Sequence, residues 1–224
     1  MFRAVLWDMD GTLLDSEKLW DISLAALYEH LGGTLTPQVR ASMVGSSAEN
    51  TIRIIYTDLG LELDPAAMAA SDRWLHDYTA ELFDGGLPWC AGAPELLSAL
   101  AAENIPMALV TNTQRELTER ALNSIGRHFF SATVCGDEVA RGKPAPDAYR
   151  RAAALLDFEP AECLAIEDSV TGTQSAESAG CPVLVVPNDV EVPLSNRRRH
   201  VPSLHDLDVD DLRSIYAQLE ARSA

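Results

Sequence analysis

The sequence has few features of secreted or membrane proteins. It contains four cysteines in 224 residues, all far apart and without a Cys-x-x-Cys pair. This spacing argues against a zinc site and indicates reduced cysteines in a cytoplasmic protein. No apolar run reaches the ~18 residues that a membrane span needs. The first apolar run is short and is interrupted by Asp8 and Asp10, which argues against a signal peptide.

Positive charge is also scarce. The chain has 17 lysines and arginines against 34 aspartates and glutamates, a formal net charge of −17. This balance argues against binding to nucleic acid or to an anionic membrane. We interpret the arginine run at 197–199 as a solvated loop that is too short to reverse this balance. We expect the protein to be a monomer or weak dimer. An acidic protein that acts on an anion needs local cations or a metal at its site.

The stretch from residue 4 to residue 13 is the most informative part of the chain. Residues 2–7 are mostly apolar and predict a buried strand, which runs directly into the carboxylates of Asp8 and Asp10. Two acids at the end of an interior strand are costly unless a metal or a proton balances them. In an open α/β sheet, ligands bind at that end of the strands. The stretch therefore predicts an acidic metal and nucleophile site. The alternative is an Asp-Gly turn with a capping carboxylate.

Two different periodicities divide the chain. Residues 16–84 show only helical spacing of apolar residues, whereas helices and strands alternate from residue 88 onward. The later strands are predicted at 106–110, 132–135, 163–166 and 182–186. Alternation implies βαβ crossovers and a mainly parallel sheet. We predict an α/β fold with a doubly wound, Rossmann-like core over 1–15 and 88–224. An all-helical cap is inserted over 16–87, with hinges near 14–17 and 84–88.

Polar residues gather where the predicted strands end. They are Asp8, Asp10, Thr111, Asn112, Lys143, Glu167 and Asp168. The carboxyl ends of parallel strands meet at one edge, so these side chains are expected to converge. Taken singly, the Thr-Asn and Glu-Asp pairs could cap helices and the lysine could be a solvated loop residue. Taken together, a set that is rich in acids and contains no histidine is typical of a site where Mg²⁺ holds a phosphoryl group.

These residues carry a family resemblance that covers nearly the whole chain. The segments Asp8-Met9-Asp10-Gly11-Thr12, Val110-Thr111-Asn112, Lys143-Pro144 and Glu167-Asp168-Ser169 resemble, in order and spacing, the four motifs of the haloacid dehalogenase superfamily. The first motif and the inserted helices are similar to those of the β-phosphoglucomutase-like phosphatases. The resemblance implies a magnesium-dependent phosphomonoesterase that acts on a small phosphorylated metabolite, such as a sugar phosphate, through an aspartyl-phosphate.

The resemblance also implies a role for each motif residue. Asp8 is the nucleophile, and Asp10 is the general acid and base. Asp8, the Asp10 carbonyl and Asp168 hold the metal, with Glu167 as a further or water-mediated ligand. The phosphoryl group is bound by Lys143, Thr111 and Asn112. The expected specificity residues of the cap are Glu17, Trp20, Gly45 and Ser46, although Trp20 is also well placed to pack within the cap.

Three other activities compete with hydrolysis. A phosphosugar mutase uses the same site, a receiver-type protein uses a similar acidic cluster as a phosphorylation switch, and a dehalogenating relative needs no metal. The resemblance gives mutases a histidine ten residues after the acid–base aspartate and an arginine in the next cap loop. This chain has Trp20 at the first position and no basic residue from 44 until Arg53. The sequence therefore favours the phosphatase.

Overall fold

The computed structural model describes residues 1–44, 46–187 and 191–223. Gly45 lies outside these ranges, and the side chain of Glu17 is also outside the described part. The specificity roles expected of both residues therefore stay predictions.

A parallel sheet forms the centre of the described structure. Its strands are β1 (Ala4–Trp7), β2 (Met107–Val110), β3 (Ala132–Val134), β4 (Cys163–Glu167), β5 (Val183–Val185) and β6 (Arg198–His200). They lie in the order β3-β2-β1-β4-β5-β6, with every neighbouring pair parallel. The chain moves outward from β1 on one side and then returns to its other side at β4. The acidic motif that follows β1 therefore lies where the strand order reverses.

Helices cover both faces of this sheet. The helices are α1 (Glu17–His30), α2 (Pro37–Met43), α3 (Ala48–Asp58), α4 (Pro65–Asp84), α5 (Ala93–Ala102), α6 (Arg115–Ile125), α7 (Asp147–Leu155), α8 (Val170–Ala179) and α9 (Val209–Ser223). Val5 and Trp7 of β1 belong to the core on one face, and Ala4 and Leu6 to the core on the other. All four residues are fully buried, as expected for a central strand covered on both sides. The predicted doubly wound core is confirmed.

Helices α1–α4 form a separate layer between β1 and α5. They share an apolar cluster of their own that includes Leu27, Tyr28, Ile52 and Ile55, each buried to within 1%. Thr36 and Ser47 begin α2 and α3, since each side chain accepts a backbone N–H hydrogen bond from the first turn. The inserted all-helical cap of the predicted fold is thus present.

The arginine run was predicted wrongly as a solvated loop. Residues 198–200 form the edge strand β6, which pairs in parallel with β5. An edge strand pairs through backbone hydrogen bonds on one side only. Apolar and polar side chains therefore need not alternate along it in the way that predicts a strand from sequence. The Arg198 guanidinium donates to the Glu177 carboxylate at 2.7 Å, which compensates its charge. The C-terminal helix α9 was not predicted either.

All four cysteines are free, and Cys135, Cys163 and Cys181 are buried in the core. Burial raises the pKa of the Cys135 thiol to about 11 and that of Cys163 to about 12, so both are thiols at neutral pH. Among the described helices, none combines the length and apolarity that crossing a bilayer requires.

Candidate active site

The predicted site residues converge at the carboxyl edge of the sheet. Asp8 directly follows β1, Thr111 directly follows β2, and Glu167 is the last residue of β4. Lys143 comes from the loop before α7 and reaches back to the same edge. Parallel pairing of β1 with both β2 and β4 places these strand ends side by side.

Lys143 forms two buried ion pairs at the centre of the site. Its Nζ lies 2.6 Å from Asp8 Oδ1 and 2.6 Å from Glu167 Oε1. Asn112 fixes the lysine backbone, because its Oδ1 accepts from the Lys143 N–H at 2.8 Å and its Nδ2 donates to the Lys143 carbonyl at 3.2 Å. Lys143 is only 5% exposed, so it is a site residue and not a solvated loop residue.

The Glu167 carboxylate is fully buried and has several partners. In addition to the lysine, Oε1 accepts from the Tyr149 hydroxyl at 2.6 Å, and Oε2 accepts from Ser169 Oγ at 3.2 Å. A Cβ at Gly172 would come within 2.0 Å of this carboxylate, so the glycine makes room for it against the first turn of α8. Glu167 is therefore held in place by the protein on both oxygens.

Burial and charge alter the ionisation of this cluster. Desolvation, followed by the charge of Glu167, raises the pKa of Asp8 from 3.8 to about 7, although Lys143 opposes the shift. Burial lowers the pKa of Lys143, but Asp8 and Glu167 outweigh it, and the net shift is upward. Lys143 thus stays an ammonium, and one cation faces two carboxylates. The remaining negative charge favours a further cation at the site.

A metal site is consistent with these residues. Asp8, Glu167 and Asp168 each offer a carboxylate oxygen, and these oxygens lie within 4.8 Å of one another. All three residues are buried, and oxygen ligands of this kind suit hard divalent cations. The excess negative charge around Asp8 supports the same fit.

The Asp10 carboxylate accepts four hydrogen bonds. Ser16 Oγ and Trp20 Nε1 donate to Oδ1 at 2.6 and 3.2 Å, respectively. Thr113 Oγ1 and Thr111 Oγ1 donate to Oδ2 at 2.7 and 3.3 Å, respectively. Two of the donors lie at the start of the helical layer and two at the end of β2, so Asp10 connects the two parts.

The cavity above these acids is enclosed by the helical layer. Of the predicted specificity residues, Trp20 and Ser46 line it, together with Asp8, Asp10 and Lys143. The Trp20 ring also packs edge-on against Phe83 with centroids 6.1 Å apart, so it both packs and contacts the site. Arg53 does not line this cavity; it pairs with Glu49 on the exposed side of α3.

Some contacts were missed or misassigned from the sequence. A serine directly before a helical apolar repeat predicts an N-cap, and Ser16 does occupy the N-cap position of α1. Its side chain, however, makes no cap bond and donates to Asp10 instead. The alternative in which the Thr-Asn and Glu-Asp pairs cap helices does not hold, since Gln114 and Ser169 occupy the N-cap positions of α6 and α8. The Thr113 contact with Asp10 was not predicted, although a second hydroxyl two residues after Thr111 was visible in the sequence.

Comparisons with known proteins agree with this geometry. Residues 5–186 match the family model described as haloacid dehalogenase-like hydrolase. The chain belongs to this family. Hexitol phosphatase A of Escherichia coli is 31% identical over 198 residues, which cover 87% of either chain. A probable pseudouridine-5'-phosphatase of Drosophila melanogaster is 31% identical over 194 residues, covering 82% of this chain and 80% of the relative.

The same fold occurs in a β-phosphoglucomutase from Clostridium difficile. Its crystal structure superimposes with a TM-score of 0.89 at 20% identity and covers 99% of this chain and 100% of the other. This similarity shows that the two proteins share the same fold. The chain is an enzyme of the hydrolase type, and its curated relatives are phosphatases.

The raised pKa of Asp8 predicts a pH-dependent stability in the absence of metal. Between 3.8 and about 7 the folded protein retains a proton on Asp8 that the unfolded chain has released. Stability in a chelator should therefore fall by a few kcal/mol as pH rises through this window, at about 1.4 kcal/mol per pKa unit. Mg²⁺ should raise the unfolding temperature more at pH 8 than at pH 5.

Thermal unfolding between pH 5 and pH 8, in chelator and in Mg²⁺, measures this effect. Asp8→Asn is the matched variant, because it keeps the shape of the side chain but has no carboxylate to titrate. It should flatten the pH dependence and reduce the Mg²⁺ shift. An unchanged pH dependence in this variant would assign the effect to another group.

Proposed function

We propose that the protein is a Mg²⁺-dependent phosphomonoesterase that hydrolyses a small sugar phosphate through an aspartyl-phosphate on Asp8. The observation that carries this proposal is the Asp8 carboxylate, which Lys143 holds at 2.6 Å at the sheet edge, with Asp10 two residues further on. The curated relatives include a hexitol phosphatase and a probable pseudouridine-5'-phosphatase, which supports a phosphorylated polyol or sugar as the substrate class.

In the first half of the reaction, an Asp8 oxygen attacks phosphorus and the bond from phosphorus to the leaving oxygen breaks. Thr12 Oγ1 and Lys143 Nζ donate to the two Asp8 oxygens, which orients the carboxylate for attack. Asp10 gives a proton to the leaving alcohol oxygen. Its four donors hold this side chain at a fixed position beside the nucleophile.

In the second half, water attacks phosphorus and the bond between phosphorus and Asp8 breaks. Asp10 takes the proton from this water and returns to the protonation state in which it began. The ammonium of Lys143 stabilises charge on the phosphoryl oxygens. The hydroxyl of Thr111 would do the same by turning its single proton from Asp10 toward them. Asn112 contributes by positioning Lys143, through the two hydrogen bonds that it makes to the lysine backbone.

The residues that would hold Mg²⁺ are Asp8, the backbone carbonyl of Asp10, and Asp168. Glu167, whose oxygens already have protein partners, would be a further or water-mediated ligand. When bound, Mg²⁺ offsets the repulsion between the anionic nucleophile and the anionic phosphate. The −17 net charge of the chain makes such compensation necessary for binding an anion.

The cap, residues 16–87, would exclude bulk water when it closes over the site. Its hinges are proposed near 14–17 and 84–88. Trp20 and Ser46 would contact the substrate from the cavity wall, and Glu17 and Gly45 remain candidates beside them. We further propose a cytoplasmic protein that is a monomer or weak dimer.

A phosphosugar mutase is the alternative within the same site. A mutase must bind a second phosphate, and the loop before α3 has no arginine for it. Arg53 of α3 pairs with Glu49 and does not line the cavity, and Arg40, which does line it, donates to the Asp21 carboxylate. Trp20 occupies the position of the mutase histidine and cannot accept a proton. In this structure the Trp20 indole N–H donates to Asp10. The residue at this position therefore favours hydrolysis over phosphoryl transfer to a second hydroxyl group of the substrate.

The proposed activity is tested by phosphate release from p-nitrophenyl phosphate. Release should require Mg²⁺, stop in chelator, and be poorly supported by Ca²⁺, whose looser coordination would misalign the attack. Asp8→Asn should retain less than about a tenth of the rate, because an amide is not nucleophilic. Full activity in chelator, or in Asp8→Asn, would contradict the proposal.

An NMR time course separates hydrolysis from mutase chemistry. With β-glucose 1-phosphate primed by the bisphosphate, the enzyme should form inorganic phosphate. Accumulation of glucose 6-phosphate faster than free phosphate would overturn the assignment in favour of the mutase.

The role of Asp10 predicts a dependence on the leaving group. Asp10→Asn should slow the hydrolysis of alkyl phosphates by about 10²–10⁴, the usual range for loss of general acid–base catalysis. The loss should be smaller for p-nitrophenyl phosphate in single-turnover burst measurements, because p-nitrophenolate leaves without a proton. Equal losses for both leaving groups would contradict proton transfer by Asp10.

A further inference from the structure

The lining of the cavity contains polar side chains that do not belong to the catalytic cluster. Most of the helical layer that faces the cavity is apolar, including Trp20, Leu24, Met43 and Leu75. The layer also contributes Arg40, Asp72 and His76 to the lining, together with the smaller hydroxyl residues Ser46 and Thr51. Gln114, at the start of α6, adds an amide from the sheet domain. Polar side chains within an apolar wall are costly when water leaves, unless a ligand or another side chain binds them.

The arginine and the histidine of this set both lie beside acids. The Arg40 guanidinium donates to the Asp21 carboxylate. His76 Nε2 lies 3.6 Å from a Glu116 carboxylate oxygen, and its Nδ1 lies 3.4 Å from Asp77 Oδ1. The positive charge of this wall is therefore matched by neighbouring acids.

Asp72 differs from these residues because it faces a neutral partner. Gln114 Nε2, at the start of α6, donates to Asp72 Oδ2 at 3.4 Å, which is a long hydrogen bond. The pair joins α4 of the helical layer to the sheet domain across the cavity. The pair places a negative charge and an amide in the cavity wall. Both side chains offer oxygen acceptors there.

We infer that Asp72 and Gln114 bind the hydroxyl groups of a neutral polyol, at the end of the substrate remote from the phosphate. A carboxylate with two oxygens accepts from neighbouring hydroxyls, and an amide can both donate and accept. This assignment rests on the proposed phosphatase function and refines its substrate class.

The same charge arrangement disfavours a second anion on the substrate. A carboxylate or second phosphate in this part of the cavity would face Asp72, whereas the guanidinium of Arg40 is already engaged by the Asp21 carboxylate. Like charges in a desolvated site repel strongly. Polyol phosphates with a neutral end should therefore be better substrates than their carboxylate analogues.

The experiment compares glucitol 6-phosphate with 6-phosphogluconate, which differ by a hydroxymethyl group or a carboxylate at C1. For the full-length protein in Mg²⁺, kcat/KM should favour glucitol 6-phosphate by at least about tenfold. Asp72→Asn should lower kcat/KM for glucitol 6-phosphate by about tenfold, since it loses an acceptor. It should also raise the relative rate on 6-phosphogluconate, so that the ratio moves toward one.

Glu81→Gln is the matched control, because it removes the same charge from the exposed side of the same helix. Its substrate ratio should equal that of the unsubstituted protein. A preference for 6-phosphogluconate, or a ratio unchanged by Asp72→Asn, would overturn the inference. If the enzyme hydrolyses p-nitrophenyl phosphate but neither glucitol 6-phosphate nor 6-phosphogluconate, the inference is also overturned. If it hydrolyses none of the three compounds, the phosphatase proposal itself is contradicted.

Discussion

The site depends on a single buried cation. Lys143 bonds to Asp8 and Glu167, which lie 135 and 24 residues away in the sequence, and it joins the ends of two central strands to the loop before α7. Two carboxylates and one ammonium leave an excess negative charge in a dry environment. Burying such a set is expensive, and removing the lysine would leave two unpaired carboxylates. One more cation would balance the excess negative charge of the cluster. An enzyme that acts on a phosphate dianion also requires a cation at its site.

Asp10 links this charged centre to the helical layer. Donors from Ser16 and Trp20 come with α1, whereas the donors from Thr111 and Thr113 come with the end of β2. Movement of the layer away from the sheet would remove two of these four bonds. The position of the Asp10 carboxylate therefore depends on contacts from both the helical layer and the sheet domain.

The sequence allowed the core and the catalytic edge to be predicted because parallel strands impose simple rules. Asp8, Thr111, Glu167 and Asp168 each follow a strand end closely, so their convergence required only the topology. The arginine strand β6 was missed because edge pairing leaves little trace in side-chain pattern. Ser16 was misassigned because an N-cap preference and a site contact look the same in sequence. Asp72 was missed because only the packing of α4 against α6 shows which helix face lines the cavity.

The most direct test of the account is whether the phosphoryl group passes through Asp8. Rapid-quench mixing of enzyme and p-nitrophenyl phosphate in Mg²⁺, followed by peptide mass spectrometry, reports on the covalent state of each residue within one turnover. The account predicts a transient phosphoryl group on the peptide that contains Asp8, formed with the nitrophenolate burst and lost as free phosphate appears. A phosphoryl group on another residue would contradict it. So would inversion of configuration at phosphorus with a chiral phosphate ester, which would show direct attack by water.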